Sequence, residues 1–424
     1  MALATQRSLS QLKAQCQKLG IQAKMRGKKE AKDDYTYALR DYFIQENYGG
    51  YANLPESLKL MLKIESPMLS EQFKKLKPEV QKDIWTSNQW FLEEKEDGNR
   101  QIHFIGLEGE PYQTYSRNLS VTDFLPVSYG EKMYTDDIDF TKIKDRFIID
   151  SEVICTNPNI STVMGKKGVV TETQLQAVTA ILSMNAEDSL RVQRDEGCPL
   201  HIKAFDCLWF NGEWLIDKPL IERRKYLKVA LKQMLDAGFR VSLPKSNMSN
   251  KKQFYEQILK EGGEGCIAKR VTDKYYPVTT RSHRSWVKIK RTMSESLGME
   301  GLGDTIDAFI TGYEVADESK SWAGLIGALE VSIYLRDEQG NLTQHMIAKI
   351  ANIEMELRKK MTVHDENGNP MLAAEWYGKC MEIDGQAVSA RARRLKHAIF
   401  IQFRPDKCPD MCVYDESFIN SMIL

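Results

Sequence analysis

One stretch narrows what this chain can be more than any other: Trp90-Phe91-Leu92-Glu93-Glu94-Lys95-Glu96-Asp97-Gly98-Asn99-Arg100. Its apolar start reads as a strand that delivers Lys95 to its end. In the K-x-D-G-x-R pattern that follows, Gly98 permits a sharp turn and Arg100 returns a cation to the same place. A lysine amine has a reference pKa of about 10.4. It is a nucleophile at neutral pH only where desolvation or nearby cations lower that value. Such cations come much later, in Ser285-Trp286-Val287-Lys288-Ile289-Lys290-Arg291. Alternate strand residues share a face, so Lys288 and Lys290 point one way while Val287 and Ile289 point into the protein. Lys95 is the candidate nucleophile, and Lys288 with Lys290 would hold a phosphate and depress its pKa. Alone, K-x-D-G also suits a surface turn and K-x-K a solvated strand edge. The two motifs together, with what lies between them, disfavour that reading.

With 424 residues the chain has room for two or three domains and an ample core. The 59 basic and 59 acidic residues cancel, so a nucleic-acid partner has to be argued from local charge. Cys16, Cys155, Cys207, Cys266 and Cys380 stand singly among apolar neighbours and read as reduced core thiols. Cys408 and Cys412 are the close pair, but no second pair or histidine follows at zinc-ligand spacing. The sequence contains no apolar run of membrane-spanning length and opens without a signal-peptide pattern. An intracellular setting, cytoplasmic, nuclear or viral, with no membrane partner, is the expectation.

Taken in order, Leu9, Leu12, Cys16 and Leu19 and then Tyr35, Ala38, Leu39 and Tyr42 recur at helical spacing. The basic turn Lys24-Met25-Arg26-Gly27-Lys28-Lys29 lies between these helices, and Gly49-Gly50 and Pro55 read as a linker. From about Ile64 short apolar runs alternate with turns, the mark of a mixed or antiparallel-sheet domain. Ile102 to Leu107 reads as the hairpin partner of the Lys95 strand, and Arg117 stands at a strand end. Asp150 and Glu152 share one face of an apolar strand; burying both is costly unless they meet a cation, metal or hydroxyl. Thr173 to Met184 reads as a core helix. Phe205-Asp206 lies in a strand that ends in the Asn211-Gly212 turn, followed by a helix opened by Pro219. Phe205 suits the core or a base-stacking face. Glu264 starts a glycine-rich turn, and Lys269 ends the strand after it. Beyond Arg291, four or five short strands with one helix suggest a small barrel such as an OB-fold. The basic run Arg391 to His397 sits within that unit.

In their order, K-x-D-G-x-R at Lys95, D-x-E at Glu152, the Phe205-Asp206 strand with its P-L-x-E-R-R sequel, E-G-x-x-x-K at Glu264 and K-x-K at Lys288 resemble the covalent nucleotidyltransferases. Arg404-x-Asp406-Lys407 and the P-M-L opening at Pro67 narrow the resemblance to ATP-dependent DNA ligases, over residues 64 to 424. The first helices resemble the short DNA-binding SAP motif. The resemblance implies a multidomain α+β chain. Residues 1–50 would form a small helical unit and 51–63 a linker. Residues 64–295 would be an adenylyltransferase domain of ATP-grasp-like ligase type with antiparallel sheets, and 296–424 an OB-fold β-barrel. Lys95 would take AMP from ATP. Glu93 would face the adenine, Phe205 would stack on it, and Arg100 and Glu152 would lie near the ribose. Arg117 would contact phosphate and Lys269 would line the pocket. Glu152 and Glu264 would position Mg²⁺ or Mn²⁺, Lys288 and Lys290 would stabilise the α-phosphate, and Arg404, Asp406 and Lys407 would orient pyrophosphate from the barrel. The partner implied is nicked or broken duplex DNA, met by a monomer. Lys24, Arg26, Lys28, Lys29, Arg391, Arg393 and Arg394 are the candidate DNA contacts, acting on phosphates without sequence preference. Ser151 stands where the family usually has glycine.

Three other readings stay open on sequence: an RNA ligase of the same superfamily, a GTP-using capping enzyme, and a non-catalytic DNA-binding protein with a ligase fold. The first two share Lys95 chemistry and differ in nucleotide and acceptor; the third is told by a failure to become labelled with AMP.

Overall fold

A computed structural model describes residues 9–26, 31–64, 66–120, 122–156, 174–278, 283–290, 305–337, 339–385, 388–389, 392–395 and 398–421. Lys28, Lys29, Arg391, Lys396, His397 and the Lys290 side chain lie outside the described residues. Two compact units divide the chain, Met1–Ile289 and Lys290–Leu424.

The first unit begins with α1 (Leu9–Lys18) and α2 (Lys32–Tyr48). Leu12, Cys16 and Leu39 close on each other and on Phe124. Gly49 ends α2 in the left-handed region at φ 69°; its N–H turns back to the Gln45 carbonyl at 2.9 Å and the Gly50 N–H to the Ile44 carbonyl at 3.3 Å. The stretch expected as a linker is structured instead. After a 3-10 turn at Tyr51–Asn53 comes α3 (Glu56–Ile64), with Leu58, Leu60, Met61 and Ile64 buried. Pro55 and the glycines punctuate only its start, and its apolar side packs against Ile102, Phe104 and Tyr115. Helix α4 is Pro78–Thr86, opened by its proline.

Twelve strands follow among the described residues: β1 (Glu71–Gln72), β2 (Trp90–Glu94), β3 (Asn99–Leu107), β4 (Glu110–Leu119), β5 (Pro126–Ser128), β6 (Phe147–Cys155), β7 (Leu200–Phe210), β8 (Glu213–Trp214), β9 (Val241–Ser242), β10 (Ser246–Asn247), β11 (Gly265–Arg270) and β12 (Trp286–Lys290). Between them run α5 (Gln174–Ser183), α6 (Ala186–Arg194), α7 (Leu220–Ala237) and α8 (Lys251–Lys260). One sheet has the order β1-β12-β11-β2-β10; the other runs β5-β4-β3-β6-β7-β8, with β9 beside β7. The strand bearing Lys95 is therefore not the hairpin partner of Ile102–Leu107. β2 pairs with β10 and β11, whereas β3 pairs with β4 and β6. K-x-D-G carries the chain from one sheet to the other.

Period-two burial explains the layers. Trp90, Leu92, Cys266, Ala268, Val287 and Ile289 are buried on one face of the first sheet, against Ile84 of α4 and Tyr255, Ile258 and Leu259 of α8. Phe147, Ile149 and Val153 of β6 join Val178, Ile181, Leu227 and Met234 of α5 and α7 behind the second sheet. The opposite faces of the two sheets meet through Ile102, Phe104, Ile148, Leu208, Tyr275 and Trp286. Polar residues on those inner faces, Glu93, Lys95, Asp150 and Glu152 among them, are brought between the sheets.

The second unit has β13 (Thr305–Val315), β14 (Ile326–Arg336), β15 (Leu342–Ile350), α9 (Met355–Met361), β16 (Thr362–His364), β17 (Pro370–Leu372), β18 (Cys380–Asp384), β19 (Ile399–Phe403), β20 (Val413–Asp415) and α10 (Glu416–Ser421). Its main sheet runs β15-β14-β13-β18-β19, with β20 parallel to β14. Ladder irregularities interrupt β13, β14 and β18. Bulges of this kind bend strands and increase twist. No described helix is long and apolar enough to cross a membrane.

Candidate active site

Lys95 follows the last residue of β2, and its backbone N–H donates to the Gly265 carbonyl at 2.9 Å. Its Nζ is ion-paired with the Glu264 carboxylate, which the glycine-rich turn before β11 brings to the same place. Both side chains are partly solvated, at 24% and 16% exposure. The crossover itself depends on Gly98. A Cβ there would lie 2.2 Å from the Val153 carbonyl oxygen and 2.9 Å from an Ile154 methyl, so β6 and the turn can touch only where no side chain intervenes. Gly98→Ala is expected to cost about 1–3 kcal/mol, the usual range for overpacking, read as a lower urea midpoint at unchanged slope.

Across the gap, β3 and β6 place Arg100 opposite Glu152 and Ile102 opposite Asp150. Arg100 forks the Asp150 carboxylate, Nε to Oδ1 at 2.9 Å and Nη2 to Oδ2 at 2.6 Å, while Nη1 donates to the Met68 carbonyl at 2.6 Å. The Tyr275 hydroxyl donates to Asp150 Oδ2 at 2.7 Å and accepts from the Met68 N–H at 2.9 Å. Asp150 is fully buried and has the cation and hydroxyl its burial demands. The P-M-L opening is thereby fastened to the acidic strand. Ser151 points to the other face of β6, where it is 2.7 Å from Nε2 of the buried His103. The departure from glycine leaves the face of Asp150 and Glu152 unaltered.

Burial pushes the Glu152 carboxyl up to about 7, with Arg100 and then Lys95 opposing the rise and Asp150 adding to it. Between its ordinary 4.5 and about 7 the folded protein keeps a proton that the unfolded chain has lost. This carboxyl's contribution to stability therefore falls as pH rises through that window and is constant above it. Glu152→Gln should flatten that part of a urea-midpoint versus pH curve; an unchanged slope would refute it.

Deeper in the gap, Glu93 is buried between two cations. Arg224 of α7 holds one carboxylate oxygen and Lys269 of β11 the other. Burial lowers the Lys269 pKa and Glu93 works to raise it, with the net direction down. The Lys269 ammonium also lies 4.2 Å from the ring centre of Phe205 and 4.4 Å from that of Trp286. Those rings meet edge to face at 5.7 Å and 82°, an arrangement suited to their quadrupoles. Just behind Phe205, Asp206 and Arg223 form a fully buried two-bond pair, both contacts at 2.8 Å. Its other nitrogen, Nη1, reaches the Lys218 carbonyl at 2.7 Å and that of Asp273 at 3.1 Å.

The family described as ATP dependent DNA ligase domain matches residues 67–290, more than half of the chain and all of this site. This chain belongs to the ATP-dependent DNA ligase family. The chain is 29% identical over 251 residues to DNA ligase 4 of Candida glabrata, covering 57% of this chain and 24% of that protein. It is 35% identical over 156 residues to a probable DNA ligase of Dictyoglomus thermophilum, covering 36% of this chain and 24% of that one. It thus spans about a quarter of the length of these two relatives. The solved structure of mycobacterial DNA ligase D complexed with ATP and MES is 19% identical, with a TM-score of 0.39, over 82% of this chain and 97% of that one.

The remaining candidates of this ligase-family chain fall in three places. Lys288 is in β12, on the face opposite the buried Val287 and Ile289, and Lys290 ends that strand. Arg117 is exposed on β4 and acts electrostatically on Glu152. In the second unit, Arg404 forks Asp406 at 3.0 and 2.8 Å. Arg404 also reaches Asp307 at 3.0 Å, and Lys407 is ion-paired with the same Asp307 carboxylate. Of the candidate DNA contacts, Lys24 and Arg394 are exposed. Arg26 is engaged within its own hairpin: its guanidinium lies 3.4 Å from the Tyr37 ring centre and donates to the Asp33 carbonyl at 3.0 Å. Arg393 reaches Glu416 at 3.5 Å and Asn420 at 3.3 Å.

Arg224, Trp286, Tyr275 and Asp307 were not singled out from sequence as site residues. Arg224 lies within the P-L-x-E-R-R stretch and Trp286 beside the K-x-K pair. For Asp307 the available signal was an acid at the start of a strand whose neighbours are apolar.

Proposed function

We propose that this chain is an ATP-dependent DNA ligase that seals 5′-phosphate/3′-hydroxyl breaks in duplex DNA through a Lys95-AMP intermediate and adenylated DNA. The observation that carries this reading is Lys95 held at the end of β2, between two sheets, with Glu264 on its ammonium and Arg100, Asp150 and Glu152 across the gap. In the first step Lys95 Nζ, after losing a proton, attacks the α-phosphorus of ATP; a phosphoramidate bond forms and the bond to pyrophosphate breaks. Glu264, already the partner of that ammonium, is placed to accept the proton or pass it to solvent. Lys288 and Lys290 stabilise the negative charge that grows on the α-phosphate. Phe205 offers the base a ring face, and Glu93, held by Arg224 and Lys269, forms the wall at its edge. The pair Arg100–Asp150 fixes the strand positions that bring Glu152 to the ribose side. AMP then passes to the 5′-phosphate of the break, and the 3′-hydroxyl displaces it, leaving a sealed strand and free AMP.

Mg²⁺, or Mn²⁺ in its place, neutralises phosphate oxygens in such a reaction. Glu152 and Glu264 would hold it. Among the described residues no group of three or more His, Cys, Asp or Glu could hold a metal. Two carboxylates suit a hard cation that takes its other ligands from phosphate and water.

The second unit is read as an OB-fold barrel presenting Arg404, Asp406 and Lys407 to the pyrophosphate, and the helical hairpin at the start as a SAP-like DNA contact through Lys24. The monomeric chain is placed inside the cell.

The test is incubation with Mg²⁺ and α-labelled ATP, GTP or NAD, a denaturing gel, and a chase onto nicked DNA or nicked RNA. Label from ATP that is consumed as nicked DNA is sealed is the expected result. Label that chases only onto RNA would replace the acceptor, and label from GTP alone the nucleotide.

A further inference from the structure

The nine-residue segment that carries Arg404, Asp406 and Lys407 ends at Cys412. Both of its ends meet one residue. The Arg404 backbone N–H donates to the Cys380 carbonyl at 2.9 Å. At the other end the Cys412 sulfur lies 3.7 Å from the Cys380 sulfur, the contact distance of two thiols. The two cysteines are 3% and 0% exposed and share a small apolar cluster with Phe309. Both are free thiols, and so is Cys408, which is exposed within the same segment. The Cys412 sulfur is 3.9 Å from the Cys408 carbonyl oxygen, so Cys408 and Cys412 stand on one tight turn, Pro409–Met411 between them.

We infer that Cys380 and Cys412 form an oxidation site, closed to a disulfide by peroxide that enters at Cys408. Reaction begins where a thiol is accessible and can ionise. Cys412 is fully buried and out of reach of peroxide in solution, whereas Cys408 is exposed. Hydrogen peroxide converts the Cys408 thiol to a sulfenic acid and releases one water. The Cys412 thiol then attacks that sulfur, forming the 408–412 disulfide and releasing a second water. Attack by the Cys380 thiol on the Cys412 sulfur forms the 380–412 disulfide and returns Cys408 as a thiol. In sum two thiols and one peroxide give one disulfide and two waters. The bond staples the second end of the segment as the Arg404–Cys380 hydrogen bond staples the first. Arg404 and Lys407, already gathered on Asp307, lose the freedom to leave it. The effect on adenylation rests on the function proposed above; the cross-link does not.

The experiment treats the whole 424-residue chain with hydrogen peroxide, blocks remaining thiols with N-ethylmaleimide, and maps cross-links by mass spectrometry after trypsin. Cleavage after Lys379 and Lys407 places Cys380 on one peptide and Cys408 with Cys412 on another. A Cys408→Ser variant makes the partner of Cys380 unambiguous. Expected is a 380–412 link that dithiothreitol reverses, absent in Cys380→Ser and in Cys412→Ser, and formed several-fold more slowly in Cys408→Ser. Over-oxidised Cys408 with Cys380 and Cys412 still open to alkylation on unfolding would overturn the site. An undiminished rate in Cys408→Ser would overturn the route through it. Oxidised protein should also take AMP from labelled ATP several-fold more slowly than reduced protein, with no such loss in Cys380→Ser. A full disulfide with unchanged labelling would refute the restraint on the segment. Reduced protein that never labels would count against the ligase reading and leave the mapped disulfide standing.

Discussion

Lys95→Ala is expected to abolish transfer of AMP from α-labelled ATP to the protein, while the thermal unfolding midpoint should stay close to that of the parent chain. Loss of a nucleophile that works as part of a unit lowers turnover by on the order of 10⁶, far below what a gel detects. The fold should be indifferent because the Lys95–Glu264 pair is partly solvated. Partly exposed ion pairs contribute about 1 kcal/mol or less. Lys95→Arg sharpens the point: it restores the positive partner of Glu264 but offers no amine to attack phosphorus, so it should remain equally silent. Nicked DNA supplied already adenylated bypasses this nucleophile. The alanine variant should therefore still seal it. Label retained by Lys95→Ala would place the nucleophile elsewhere.

The second large effect is on stability. Asp206 and Arg223 are both fully buried and hold each other through two bonds of 2.8 Å. Asp206→Ala strands a guanidinium in a core from which water is excluded. Breaking such a pair typically costs about 3–5 kcal/mol, which for a unit of this size corresponds to a midpoint about 10 °C lower. Desolvation makes the intact pair weak evidence of net stabilisation. The double variant Asp206→Leu with Arg223→Met should consequently recover most of the loss. Calorimetry of the two variants decides it. A double variant as unstable as the single one would show that the Lys218 and Asp273 carbonyls, not the ion pair, dominate this site.

The parts of the site legible in sequence were those with a local period or spacing. Val287 and Ile289 could be assigned to the core because alternation in a strand is a property of neighbours. Asp150 could be expected to need a cation or hydroxyl because burial of an acid is costly wherever it occurs. The partners themselves could not be read. Arg100 reaches Asp150 across 50 positions and Tyr275 reaches it across 125, and no local rule selects among the chain's arginines and tyrosines. The same limit explains the misread hairpin. Two adjacent apolar strands joined by a glycine turn usually pair; here β2 pairs with β10 and β11 and β3 with β4 and β6, and the turn between them closes on Val153 where Gly98 has no side chain. The helix at Glu56–Ile64 was hidden because its flanking glycines and proline dominate a short window. Sulfur proximity between Cys380 and Cys412 depends on sheet order, which spacing along the chain does not encode.

The parting of β2 from β3 bears on how the protein is made. Lys95, the proposed nucleophile, is translated well before its carboxylate partner, which is 169 positions further along the chain. Among the described residues β2 has no strand to pair with until β10 and β11 have been synthesised. Contacts this distant form late and slowly, so a nascent or truncated chain displays the lysine motif without a place for a nucleotide. On the proposed chemistry, uptake of AMP then waits for completion of the first unit.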